Sequence, residues 1–312
     1  MRFYQMRAGD PSIALRAFKL VAMADGVFAD NERALLATAA RCFGIEVDVD
    51  ALEPITPEAI AAALPDEGDR KMVLQGAILM AIADAEVSRE EARLLKELKS
   101  ALGIDDVTMR VLERLAAGHR KLAAVEMMRR APVLRDIWEK HGLGAFMKIV
   151  VQLVGLQRTD EALAEKYRRF EQLPEGTLGK EFFKHCRALG FGFPGEKGGL
   201  QEFTVQHDFC HVLTGYSTEP EGEMQIAAFT AGMRKSDPFF FLFFPVMMFN
   251  VGVGPTNVPG VHTTVGLFDP DKLFRAMERG HQVSRDLLGD WDYWPDVVLP
   301  VEEVRRKYNV TG

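Results

Sequence analysis

Cysteine is scarce in this chain: its 312 residues contain three, Cys42, Cys186 and Cys210, widely spaced and with no CxxC pair. An odd, scattered set excludes a disulfide framework and fits a reducing compartment. Positive charge is also in deficit. Lys and Arg total 38 against 45 Asp and Glu, a formal charge of −7. A nucleic-acid-binding surface needs a basic excess or stripe, so that class is excluded. No apolar core of a secretion signal follows MRFYQMRAGD, and the expected location is the cytoplasm. The most apolar run, DPFFFLFFPVMMFNVGVG at 237–254, is interrupted by Pro245, Asn250 and two glycines. A membrane-spanning helix needs about 20 apolar residues, so the run is expected not to cross a bilayer. Strand signals are few. TTVGLF (263–268) and VVLP (297–300) are short enough to be loops.

What remains is the composition of a soluble globular protein, 47% hydrophobic and 27% charged. The length suits two domains. Helical patterns dominate, so the expected fold class is all-α. The first third contains a repeat. AMADGVFADNERALLATAARCFGI (22–45) aligns without gaps on AIADAEVSREEARLLKELKSALGI (81–104), with eight identical positions that include Asp25/Asp84, Glu32/Glu91, Leu35/Leu94 and Gly44/Gly103. Each copy ends one helix at an Asp, crosses a short turn and starts a second helix. Ser88 with Glu91 forms a capping box, and Asp30 is the expected cap of the first copy. A glycine stops each second helix. Two helix–turn–helix units packed as one bundle follow, over residues 1–125. The repeated carboxylates lack the alternation of an EF-hand loop. Helix capping accounts for them better than a cation site does. The A-D-G-x-x-x-x-x-E-x-x-L-L form of the first copy resembles the TerB-like tellurite-resistance domain over roughly residues 10–118. That resemblance implies a helical fold linked to membrane-associated stress and metal systems. Helical patterns continue through 106–142 and MKIVVQLVG (147–155) into a second domain, 135–312.

Chemistry concentrates in VQHDFCHVLTGYSTEPEGEMQIAAF, residues 205–229. If 202–214 is helical, His207 and His211 project within roughly 40° of one another. Asp208 lies about 100° from His207, with His211 between them, so one cation can reach all three. Imidazole with carboxylate suits Zn²⁺, Fe²⁺ or Mn²⁺. The turn residues between Gly215 and Gly222 bring Glu223 back at the start of the next helix. A metallopeptidase needs Glu after the first His, where this chain has the shorter Asp208. Cys210 points away from the 207/211 face and is read as packing. The plain alternative is a helix end whose polar groups satisfy one another locally.

The stretch resembles the coenzyme Q biosynthesis protein 4 family, whose hallmark is H-D-x-x-H, eleven residues, then E. His207, Asp208, His211 and Glu223 keep that spacing. LPEGTLGKEFFKH (173–185), Gly222-Glu223 and MERGHQVSRDLLGDWDYWPDVVLPVEEVRRKYNV (277–310) are similar to flanking family segments, so the likeness spans about 135–312. Two departures stand out: GGLQEFTVQ (198–206) lacks the Arg and Tyr residues of the family, and its Phe-Glu is Phe229-Thr230 here. The resemblance implies a helical domain holding one divalent ion, usually Zn²⁺, on His207, Asp208, His211 and Glu223. It further implies C1 decarboxylation of a polyprenylated 4-hydroxybenzoate. Partners implied are an isoprenoid or quinone-type lipid, a membrane surface on its inner face and other quinone-biosynthesis proteins; nothing opposes a homo-oligomer. Asp208 or Glu223 would double as the catalytic proton shuttle. Phe239, Phe240, Phe243, Phe244 and Met247 would line the lipid pocket, because Phe and Met adapt to a flexible chain. A non-catalytic lipid-binding scaffold with a structural metal is the alternative.

Overall fold

A computed structural model describes residues 6–129, 159–254 and 263–311. The expected helices of 130–142 and 147–155 lie outside the described residues. The fold is all-α: 61% helix in 14 helices, with no strand among the described residues. In chain order they are α1 (Pro11–Ala22), α2 (Asp30–Phe43), α3 (Pro57–Ala63), α4 (Glu67–Met80) and α5 (Arg89–Leu102). Then come α6 (Met109–Ala116), α7 (Arg120–Arg129), α8 (Glu161–Arg168), α9 (Leu178–Ala188) and α10 (Val205–Thr214). The last four are α11 (Pro220–Met233), α12 (Pro238–Phe249), α13 (Pro270–Gln282) and α14 (Val301–Tyr308). The segments TTVGLF and VVLP contribute isolated bridges, Val251 with Val265 and Thr177 with Pro300.

Two compact units form, and neither is a single block of sequence. One comprises residues 1–131 with 239–275, the other 132–238 with 276–312. The domains read from the sequence, 1–125 and 135–312, would have kept the Phe-rich run with the histidines. In the first unit α1 packs against α2, α3 and α4, and α5 packs against α3, α4 and α6. Helix α1 buries Ala14, Leu15, Ala17, Phe18, Val21 and Ala22, an i, i+3, i+4, i+7 face. Both repeat copies end at a left-handed glycine, Gly44 and Gly103. Helix α5 has the expected capping box: Ser88 Oγ accepts from Glu91 N, and Glu91 Oε2 accepts from Ser88 N at 2.8 Å. The first copy departs from expectation. Ala29 is the N-cap, extended in backbone, and Asp30 is already helical. Alanine has no acceptor, so only the return arm exists, Ala29 N donating to Glu32 Oε2 at 2.8 Å. Asp25 and Asp84 accept from the backbone two residues on, at Val27 and Glu86. The repeated carboxylates thus serve the turns and caps.

Helix α12 is held to this unit by Asn250, which is fully buried. Its Nδ2 donates to the carbonyls of Ile82 (2.6 Å) and Ala83 (3.1 Å), and its Oδ1 accepts from Phe268 N. Those carbonyls belong to the turn of the second repeat copy. In the second unit, α9 packs against α10, and α14 packs against both. Phe182 of α9 and Phe209 of α10 pin that contact, with ring centroids 4.4 Å apart.

Candidate metal centre

Helix α10 carries two histidines because its frame is fixed at both ends. Four carbonyls at a helix C-terminus lack intrahelical donors. Here Gly215 N donates to His211 O, Arg305 Nε to Leu213 O at 2.7 Å, and Arg279 Nη2 to Thr214 O at 3.1 Å. Arg305 Nη2 also reaches Val212 O, at 3.4 Å. Near the start of the helix, Gln206 Nε2 donates to Trp291 O at 2.7 Å. The C-terminal block that supplies these groups is itself tied together by Asp296, which accepts from Trp291, Tyr308 and Lys307. Burial alone would raise its carboxyl, but those three donors hold it below the usual range.

Helix α11 returns Glu223 to α10. Pro220 opens the helix, where a missing N–H costs nothing. Gly222 allows the turn to close: a Cβ there would lie 2.0 Å from Ser217 O. Glu223 sits in the first turn, where the dipole favours an anion.

Three of the four expected ligands converge. One atom each of His207, His211 and Glu223 lies within 4.8 Å of the others. The Nε2 atoms of the histidines are 3.2 Å apart. Glu223 Oε2 is 3.3 Å from His207 Nε2, and Oε1 is 3.3 Å from His211 Nε2. His211 is buried, while His207 and Glu223 are half-buried. His211 Nδ1 lies 3.0 Å from Tyr216 O. A carbonyl only accepts, so Nδ1 carries the proton and Nε2 of a neutral His211 presents a lone pair. Two imidazole nitrogens and a carboxylate this close need a proton or a cation among them. The donor set therefore fits a divalent ion, with the backbone of Tyr216 orienting one ligand. Burial would raise Glu223, but hydrogen bonds from His207 and His211 hold it at about 2. Burial disfavours charge on His207, and Glu223 more than offsets this, raising it above the ordinary value.

Asp208 is not part of this group. Its buried carboxylate faces α9, with Oδ1 3.5 Å from His185 Nε2. The helical spacing allowed one cation to touch all three α10 side chains, but α9 supplies a nearer partner for the third. His185 also stacks on His211, ring centroids 5.8 Å apart. Sequence reasoning missed His185, although it ends the segment LPEGTLGKEFFKH; its position in the last turn of α9 gave no spacing to the histidine pair. Cys210 is fully buried, as expected of packing, and burial pushes its thiol up. Burial likewise pushes Cys186 up to about 12, Asp208 adding to the effect.

The residues expected to line a lipid pocket divide into two sets on α12. Phe239, Phe243 and Met247 are buried, whereas Phe240 and Phe244 are half-buried and stacked on each other at 5.7 Å. These belong to the first unit and the histidines to the second. No described helix is long and apolar enough to cross a membrane.

Searches of protein-family models, curated proteins and solved structures return no match to this chain. The family likeness read from the histidine segment rests on the residues of the chain alone.

Proposed function

We propose that this protein is a metal-dependent lyase that binds one divalent ion, Zn²⁺ by preference, on His207, His211 and Glu223. Its substrate would be a polyprenylated hydroxybenzoate losing its C1 carboxyl group. The observation that carries the reading is the convergence of two imidazole nitrogens and one carboxylate at 3.2–3.3 Å. When bound, the ion supplies Lewis-acid stabilisation of negative charge developing on a substrate carboxylate or phenolate. Glu223, which reaches both histidine nitrogens at 3.3 Å, is suited to be a permanent ligand and not a proton donor. Proton transfer then falls to Asp208, on the same helix with its carboxylate turned to His185. His211 keeps its Nε2 aimed by donating Nδ1–H to Tyr216.

The lipid, the membrane surface and other quinone-biosynthesis proteins belong to the same proposal. Phe240 and Phe244 support it, being, with Phe241, half-buried aromatics of α12. Metal content is the direct test. Purified protein should carry about one divalent ion per chain, and His207→Ala or His211→Ala should weaken binding by at least about tenfold. Elemental analysis that finds wild type and the double variant equally metal-free overturns the reading.

A further inference from the structure

A buried carboxylate needs a partner, because leaving an ion unpaired away from water is costly. Asp208, the carboxylate that a helical wheel puts beside the two histidines, meets its partner on α9. His185 Nε2 lies 3.5 Å from Asp208 Oδ1, an ion pair when the imidazole is protonated and not a hydrogen bond, and that buried nitrogen has no hydrogen-bond partner among the described residues. The juxtaposition is built in. Phe182 and Phe209 lock α9 onto α10, and His185 stands one turn along from Phe182 while Asp208 is adjacent to Phe209. The His185 ring is further stacked on His211. Asp208 is thereby aimed at α9, while the atoms of His207, His211 and Glu223 face one another.

We propose that His185 is a positioning residue that holds Asp208 off the ion, leaving three protein ligands and an open coordination position. The inference rests on the metal-binding reading above and adds how that site stays open. Three protein ligands with a free position characterise catalytic zinc sites, and four closed ligands characterise structural ones. Without His185, Asp208 loses its partner and becomes available as a fourth ligand.

The full-length chain loaded with Co²⁺ provides the test, with azide as the probe of an open position. Wild type should show saturable azide binding as a shift in its visible spectrum. His185→Phe preserves a ring on His211 but frees Asp208. It should bind Co²⁺ about tenfold more tightly and respond to azide at least about tenfold more weakly. Asp208→Asn alone should change Co²⁺ affinity less than about threefold, yet in the His185→Phe background it should remove the tenfold gain. A wild type that binds Co²⁺ but ignores azide overturns the proposal without any variant and leaves the metal site standing. So does a tenfold or greater loss of Co²⁺ on Asp208→Asn alone. Failure of wild type to bind Co²⁺ at all overturns the underlying metal reading, and this proposal with it.

Discussion

Glu32 shows how much one buried carboxylate can matter. It is 3% exposed, and its Oε2 accepts from Ala29 N. Burial pushes it from 4.5 to about 8, with repulsion from Glu91, Asp84 and Asp25 adding to that. Glu91, its counterpart in the second copy, is raised by burial to about 7. Between 4.5 and about 8 the folded chain therefore keeps protons that the unfolded chain has lost. Stability falls with pH wherever the native state binds more protons, so these two groups destabilise the fold as pH rises through that window. Chemical denaturation at pH 5 and pH 8 should give a higher midpoint at pH 5. Glu32→Gln keeps the acceptor for Ala29 N and removes the charge, so it should raise the pH 8 midpoint and shrink the difference. An unchanged difference in the variant would assign the pH dependence elsewhere.

At the scale of elements, helix ends and crossings decide the second unit. Arg279 and Arg305 close the C-terminus of α10, and a glycine pair sets how closely α11 approaches α13. A Cβ on Gly280 would lie 1.9 Å from Phe229 O, and one on Gly232 would lie 2.0 Å from Met277 O. Those atoms are backbone and cannot swing away. Gly280→Ala should separate the helices and cost about 3 kcal/mol, the upper part of the range for overpacking. Because α11 also carries Glu223, the same change should weaken metal binding. Thermal unfolding and metal titration check both effects, and a variant unchanged in each would deny that the crossing positions Glu223. Another element carries a local conflict. Ala85 takes a left-handed φ of 75° where the first repeat copy has Gly26 at 87°. The repeat thus demands the same turn of both copies, at the cost of a side chain in a region L residues avoid.

At the scale of the whole molecule, the first unit is completed from a distance. Residues 239–275 return to 1–131, and Asn250 makes two hydrogen bonds across that gap in sequence. A fragment of residues 1–131 should be helical, because α1 to α6 pack on one another. Joining it through a flexible linker to 239–275 should raise its melting temperature. Pairing the Ile82 and Ala83 carbonyls contributes about 1–3 kcal/mol by sparing buried groups from being unsatisfied, or roughly 4–8 °C per kcal/mol in a domain near 100 residues. Equal melting temperatures for the two, by circular dichroism, would mean that the returning segment adds nothing to the unit.

Local chemistry made the helices, the repeat and the capping box of α5 readable without coordinates. So were the histidine pair and its distance along the chain from Glu223, because an i, i+4 pair on a helix and a turn back depend only on neighbours in sequence. The partner of Asp208 depended on which helix covers α10, and the companion of α12 on where a chain 168 residues further along comes to rest. Periodicity places a side chain on a face of its own helix; only the packing of other helices determines what that face meets. For Asp208 that was His185 instead of the group formed by His207, His211 and Glu223, and for Asn250 it was the turn of the repeat.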